Sequence, residues 1–355
     1  MSEVEFWGAQ RLIPVGGGFS LPDHWVWDGS AIVGDDGRYH LFASRWSRDF
    51  TMHPGWILKS EIVRAVAERI EGPYTLEEVV LAERGAEFWD GRAVFNACIR
   101  RHENTYILFY TGTTYPFQPI TPQNSTTEDH KYVVAQVNKR IGVATARSIF
   151  GPWTRFDHPI LPTRPRHFDN LLTSNPAPWV HDDGSVLLVY KTRSYSNGPG
   201  IWTPQKLGVA RADHYLGPYQ QVVNQPLFAG ANEIEDPHIW QQGGRYRMVA
   251  KDMTGAICGE RYAGVGAWSI DGAVWTQAAS SKVYSRTVQW DDGHVQTLGC
   301  FDRPFVFLED GKPSHLFGAT CDGPGGFGRA EKTWITVVPL APNSRERHQD
   351  ESLAL

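Results

Sequence analysis

The chain of 355 residues is poor in cysteine, with only Cys98, Cys258, Cys300 and Cys321. These stand far apart and form no CxxC pair. That excludes the usual zinc-ligand spacing and gives no support to a disulfide framework. Buried free thiols in a reducing compartment are the expectation. Lysine and arginine form no cluster and the formal net charge is −5, which argues against nucleic acid as a partner. No apolar run approaches the length of a bilayer span, so no membrane contact is expected. The first seven residues, Met1 to Trp7, lack the basic and apolar regions of a secretory signal, and a cytoplasmic location follows as the expectation. Helical patterns are scarce as well. The best, around Ser60–Ile70, is short and overlaps a segment that reads as strand elsewhere. No linker-like stretch divides the chain, which is read as one domain over 1–355.

What the chain does have is glycine (35), proline (23) and aromatics (12%, with 14 Trp), scattered throughout. That composition fits many short strands and turns around an aromatic-rich core. Five segments share one plan: a polar residue at a strand start, an apolar strand, a Gly/Asp/Asn turn and a second apolar strand. They run Asp28–Gly37 then Tyr39–Ala43, Asn96–Asn104 then Tyr106–Tyr110, Asn175–Gly184 then Val186–Tyr190, Ile234–Gly244 then Arg245–Val249, and Asp302–Gly311 then His315–Ala319. A second motif recurs between them. Ala65–Ala67 leads to Gly72-Pro73-Tyr74, Arg140–Ala146 to Gly151-Pro152-Trp153, Leu207–Ala212 to Gly217-Pro218-Tyr219, and Gly264–Ser269 to Asp271-Gly272 and Trp275. Each reads as a third strand, a turn and an outer fourth strand. Five four-stranded sheets in series predict an all-β chain folded as a five-bladed β-propeller. Its core spans about 23–340. The last blade is completed from both ends, with Lys332–Val338 pairing near Glu5–Ile13. The polar tail 342–355 is expected to fray.

In such a ring the first strands line the channel and their starts meet at one mouth. Alignment on the turns gathers Asp28, Asn96, Asn175, Glu235 with Asp236, and Asp302 with Arg303. The ends of the second strands bring Arg45, Trp46, Lys191, Arg193, Lys251 and Asp252 to the rim. Carboxylates, amides and cations around a funnel suit a hydroxyl-rich ligand. Trp27 and Trp46 are candidates to stack on sugar faces. Two carboxylates on separate blades can divide the work of glycoside hydrolysis, one as proton donor and one ionised. Asp28 is taken as the ionised carboxylate, to activate water or attack the anomeric carbon. Glu235, with the longer side chain, is taken as the donor, tuned by Lys251, Asp252 and Asp236. Asn96, Asn175, Asp236, Arg303, Lys191 and Lys251 are the substrate contacts. His24, His53 and His294 spell no metal site. No cofactor is expected, and nothing in the residues demands a channel calcium. Asp35-Asp36-Gly37 and Asp182-Asp183-Gly184 are read as turns at the opposite end. The polar insertion Pro116–Tyr132 is expected to shape the pocket and restrict it to short substrates. No signal for an oligomeric state is present.

From about Asp23 to Leu340 the pattern resembles the five-bladed propeller glycosidases of glycoside hydrolase family 43 and its relatives. The resemblance implies an Asp base at the start of the first blade, matched by Asp28. It implies a Glu donor two residues before a proline in the fourth blade. Glu235-Asp236-Pro237-His238 matches that context, with Asp where the family has Gly. The family's third acid, which modulates the donor, falls at Asn175-Pro176. An amide there can orient a carboxyl but cannot raise its pKa by repulsion, which leaves Asp169, Asp236 or Asp302 to share that role. Asp28-Gly29 also departs from the family's frequent Asp-Pro, so the chain reads as a divergent relative. What the resemblance implies is cleavage, by inversion, of a terminal arabinofuranoside, xyloside or related sugar from an oligosaccharide. A glycoside phosphorylase on the same fold and a non-catalytic carbohydrate-binding propeller are the alternatives. Lys191, Arg193, Lys251 and Arg303 keep the first of these open, and the Asn175 departure encourages the second.

Overall fold

The computed structural model describes residues 6–7, 10–198, 200–228, 233–323 and 326–341. The expected tail over 342–355 lies outside the described residues. Blade one contains β1 (His24–Val33), β2 (Tyr39–Ser47), β3 (Glu61–Ala67) and β4 (Thr75–Leu81), with the short helix α1 (Met52–Leu58) between β2 and β3. Blade two contains β5 (Ala93–His102), β6 (Thr105–Thr113), β7 (Arg140–Ala146) and β8 (Thr154–Arg155), with α2 (His130–Val137) before β7. Blade three is β9 (Leu172–Val180), β10 (Val186–Arg193), β11 (Lys206–Ala212) and β12 (Gln220–Gln221). Blade four is β13 (Ile234–Gln242), β14 (Arg245–Asp252), β15 (Gly264–Ser269) and β16 (Thr276–Tyr284). A small hairpin, β17 (Thr287–Gln289) with β18 (Val295–Thr297), precedes blade five: β19 (Cys300–Glu309), β20 (Lys312–Cys321) and β21 (Thr333–Pro339). Within each blade the strands pair antiparallel in chain order. The helical pattern at 60–70 gives way to β3, because Ile62, Val63, Ala65 and Val66 are buried on both sides of a central strand. No helix among the described residues is long and apolar enough to cross a membrane.

The inner strands β1, β5, β9, β13 and β19 pack one on the next, and β19 packs back on β1, closing the ring. This is the expected five-bladed β-propeller. Closure leaves the inner strands no free edge. The N-terminal segment does contribute to blade five, but among the described residues the partner of 332–338 is Phe19 and not a residue within 5–13, and Gln10 and Arg11 meet the end of the last strand at Leu340 and Pro339. Phe19 exchanges backbone hydrogen bonds with Ile335 at 3.1 and 2.8 Å, and the Arg11 amide donates to the Pro339 carbonyl at 2.9 Å. Between blades the seal is aromatic. Trp153 meets Phe42 of blade one edge-on at 5.5 Å, and Tyr74 meets Phe317 of blade five at 6.4 Å. Tyr219 and Trp275 likewise pack into apolar clusters shared with the preceding blade. The recurring Gly-Pro-aromatic motif therefore docks each blade on its neighbour.

One irregularity recurs in all five blades. Each first strand slips register with its second strand at one point, around Trp27/Ser30, Phe95/Cys98, Ser174/Ala177, Glu235/His238 and Asp302/Phe305. Within each bulge one residue is left-handed: Asp28 (φ 63°), Asn96 (58°), Asn175 (49°), Asp236 (56°) and Arg303 (55°). Asp and Asn tolerate that conformation because their short polar side chains bond locally, while Arg303 gains no such local bond. A bulge turns an inner-strand side chain toward the channel mouth. These five positions are the ring inferred from the sequence.

Candidate active site

The connections from second to third strand, 48–60, 114–139, 194–205, 253–263 and 322–332, are much longer than the turns at the other end. Those other turns include Asp35-Asp36-Gly37 and Asp182-Asp183-Gly184, as expected. A cavity of about 290 Å³ opens among the long loops. Every one of them supplies wall: Trp56 from the first, Gln136 and Lys139 from the second, Gln205 from the third, Met253 and Tyr262 from the fourth, Phe327 with its flanking glycines from the fifth. The first strands supply Trp27, Asn96, Asn175, Glu235, Asp236, Asp302, Arg303 and Cys300. The ends of the second strands add Lys191, Arg193 and Lys251. Trp27 meets Phe327 edge-on at 5.0 Å, and with Trp56 they form an apolar wall. The same cavity is lined by the carboxylates of Glu235, Asp236 and Asp302.

Lys251 organises those acids. Its Nζ donates to Glu235 Oε1 at 2.6 Å and Asp302 Oδ2 at 2.8 Å, and lies 3.5 Å from Asp236 Oδ2. Lys191 Nζ donates to the other Glu235 oxygen at 2.9 Å. Burial alone would raise the pKa of Glu235. Lys191 and Lys251, one on each oxygen, overcome it and hold the carboxyl ionised far below its usual range. Asp302 fares the opposite way. Burial, with repulsion from Asp236 and Glu235, outweighs the share of Lys251 that it receives, and its pKa is pushed up to about 6. Lys251 is shared by three buried carboxyls, Lys191 adds to Glu235 and Arg303 to Asp236, so Asp302, the acid with the fewest donors, keeps its proton longest. Asp302 Oδ1 has no hydrogen-bond partner. Oxygens of Glu235, Asp236 and Asp302 all lie within 4.8 Å of one another, a grouping that could ligate a cation. The Lys251 ammonium already stands among them and supplies the countercharge.

Three site expectations change. Asp28 does not line the cavity. Its Oδ1 accepts from Asn96 Nδ2 at 2.9 Å and faces Arg303 Nε at 3.2 Å. Its Oδ2 accepts from the Asn96 amide at 2.7 Å and from Ser44 Oγ. Arg303 and Asn96, which do face the cavity, take up both of its oxygens, so Asp28 braces the ring from below. The proton-donor expectation for Glu235 meets the two lysines that keep it ionised. Trp46, expected to stack on sugar, is 1% exposed and paired across the strands with Trp25. It fills the core beneath α1, tight against Gly55.

The remaining residues sort clearly. Trp27, Asn96, Asn175, Asp236, Arg303, Lys191 and Lys251 all face the cavity. Asn175 Nδ2 donates to Asp236 Oδ1 at 2.5 Å, so the amide at the family's third-acid position orients Asp236 and not Glu235. Asp169 is spent elsewhere, accepting from Tyr190 at 2.6 Å and Arg164 at 3.0 Å. Arg45 pairs with Glu61 at 2.8 Å. Asp252 accepts backbone N–H groups of Thr254, Gly255, Ile257 and Cys258, which shapes the fourth loop. Of the insertion Pro116–Tyr132, no residue lines the cavity. Its contribution is indirect, through Tyr132, whose hydroxyl accepts from Gln136 at 3.1 Å. Trp56, Phe327 and Lys139 were not singled out in the sequence. The signal for them was the uneven length of the two sets of connections.

Arg303 joins the ring across its middle, facing Asp28 at 3.2 Å and, through Nη1, Asp236 at 3.6 Å. Removing one member of a buried ion pair strands the others. Arg303→Met is therefore expected to cost about 3 kcal/mol in urea unfolding. A midpoint equal to wild type would show that the guanidinium does not hold the ring together.

No family model matches the chain, and no curated protein does. Among solved structures, a family 117 glycoside hydrolase from the marine bacterium Zobellia galactanivorans superposes with a TM-score of 0.65 at 17% identity, covering 94% of this chain and 91% of that one. A thermostable family-43 glycoside hydrolase gives 0.60 at 13% identity over 92% and 94%. A family 43 β-xylosidase/α-arabinofuranosidase from a compost microbial metagenome, in complex with xylotriose, gives 0.58 at 15% over 95% and 97%. At these identities the likeness is one of fold, the five-bladed propeller over nearly the whole of each chain.

Proposed function

We propose that this chain is a glycosidase that removes a terminal sugar from an oligosaccharide. In this reading Asp302 donates the proton to the leaving oxygen. Glu235 is the ionised carboxylate at the anomeric carbon, attacking it or activating water. The observation that carries the reading is the pair of neighbouring acids in one cavity with opposite pKa shifts, Glu235 held down by two lysines and Asp302 held up by burial. That division of protonation states is what acid/base cleavage of an acetal needs. The aromatic wall of Trp27, Trp56 and Phe327 offers apolar faces to a pyranose or furanose ring. The floor closed by Asn96 and Arg303 suits a chain end. The shared fold of family 43 and family 117 glycoside hydrolases supports the reaction class, and arabinofuranosides and xylosides are the first substrates to try.

The test is hydrolysis of aryl α-L-arabinofuranoside, β-D-xyloside, β-D-galactoside and fucoside by wild type, Glu235→Gln, Asp302→Asn and Asp28→Asn. Activity on one sugar that falls in the Glu235 and Asp302 variants supports the reading. A larger loss in Asp28→Asn than in Asp302→Asn would return the chemistry to Asp28. Inactivity on the whole panel and on natural oligosaccharides would sink it. Proton NMR of the first-formed anomer separates attack by Glu235 from attack by water. Trp27→Ala is expected to raise KM about fivefold with kcat little changed, since one stacked ring face is worth about 1 kcal/mol. An unchanged KM would remove Trp27 from the sugar's path.

A further inference from the structure

We propose that the cavity holds an oxyanion subsite built from Lys139, Lys191 and Arg193. It takes a carboxylate, sulfate or phosphate, either carried on the sugar or arriving as inorganic phosphate in place of water. The proposal rests on the carbohydrate reading only for what carries the anion.

Lys139 is the anchor. It ends the second long loop, is 3% exposed and lines the cavity. Among the described residues its ammonium has no carboxylate or hydrogen-bond partner. Its contact is the face of Trp56, with Nζ 5.5 Å from the ring centre. Burial and the charges of Lys191 and Arg193 work against its ammonium and outweigh the pull of Glu235 and Asp236. Lys191 commits one bond, to Glu235. Arg193 gives Nη1 to the Thr203 carbonyl at 3.1 Å and faces Glu233 at 3.5 Å, which leaves part of its donor fork unused.

The balance of charge points the same way. Five cationic side chains line the cavity with three carboxyls, and Asp28 and Glu233 just outside the lining face Arg303 and Arg193, so among the described residues Lys139 is the lining cation left without a carboxylate. Neutral hydroxyls are served by amides and carboxylates, and Asn96, Asn175 and Gln136 already offer those. Clustered ammonium and guanidinium groups in a desolvated wall match an oxyanion, whose arrival supplies the counter-ion that Lys139 lacks. A purely structural lysine would have been placed beside an acid.

Calorimetric titration of the full chain with inorganic phosphate, sulfate, glucuronate, galacturonate and, as a neutral control, xylose tests this. Wild type is expected to bind at least one anion saturably, and Lys139→Met to lose at least tenfold in that affinity while keeping its affinity for xylose. In anion-free buffer Lys139→Met is expected to melt no lower than wild type, because an unpaired buried ammonium has been removed. Lys139→Gln serves as the second variant if the first is poorly soluble. Phosphate binding together with release of a sugar phosphate assigns the anion to the second reactant. Binding of a uronate or sulfate without phosphate assigns it to the substrate. No anion binding in wild type, or equal binding in both variants, overturns the subsite. Titration needs no turnover, so the two readings fail separately. Anion binding without any glycoside cleavage sinks the catalytic reading alone. Cleavage of a neutral glycoside with unaltered kinetics in Lys139→Met, and no anion bound, sinks the subsite alone.

Discussion

Glu235→Gln is expected to lower kcat by about 10³-fold, within the range that a positioned acid/base group contributes. The amide keeps the shape of the carboxyl but cannot carry the negative charge that faces the anomeric carbon. It also changes the surroundings. Lys191 loses its counter-ion, and Lys251 keeps only Asp302 and the more distant Asp236. Leaving a buried ammonium short of charge costs on the order of 3 kcal/mol. The variant should therefore unfold at lower denaturant, and kcat has to be read where both proteins are fully folded. A fall in kcat that vanishes once the folded fraction is corrected would reduce Glu235 to a structural counter-ion. The converse, full loss of turnover with sugar binding retained, is the expected pattern. Lys251→Met should mimic part of it, because Glu235 then keeps a single lysine.

Asp302→Asn carries the second large effect, again about 10²–10⁴-fold in kcat/KM, and its signature lies in pH. With its pKa at about 6, Asp302 holds its proton below that value and loses it above. Wild-type kcat/KM should be level on the acid side and fall about tenfold per pH unit above 6. Glu235 stays ionised far below the usual carboxylate range and sets no limb near neutrality. The asparagine variant should be slow and lack the limb at 6. Stability gives an independent readout. A carboxyl whose folded pKa exceeds its unfolded value of 3.8 binds its proton more tightly when folded. Its contribution to stability is fully present below pH 3.8 and is lost as pH rises to 6. Asp302→Asn removes that fall. A wild-type rate profile with no limb near 6 would take the donor role from Asp302.

The architecture was legible because it is written five times. The glycine pair Gly243-Gly244 has both residues at positive φ, as a two-residue hairpin of the I′ kind requires. The repeated Gly-Pro-aromatic motif marked the outer strands. The ring positions could be read off by counting back from these turns. Depth within the ring could not. Asp28 and Asp236 occupy equivalent bulges, yet only Asp236 reaches the cavity, because the long Arg303 side chain folds over Asp28. Trp27 and Trp46 are separated in the same way. Both lie on the same face of the β1–β2 pair, and the packing of α1 through Gly55 covers Trp46 while Trp27 stays at the cavity. Lys139 was hidden for a different reason. Nothing adjacent to it in the chain is unusual, and its isolation arises only when the second loop folds back beside Trp56.

The division of labour between strands and loops bears on how such a protein can change. The groups proposed for bond breaking lie on hydrogen-bonded strands, where a shift of one residue would disturb blade register. Trp56, Gln136, Lys139, Gln205, Met253, Tyr262 and Phe327, which complete the wall, lie on five independent connections, each anchored at both ends by a regular strand. A new substrate preference can therefore be reached by replacing one connection at a time, with the barrel of blades as a fixed chassis. The stretch over 114–139 is the first to exchange, since it is the longest and brings the unpaired lysine with it.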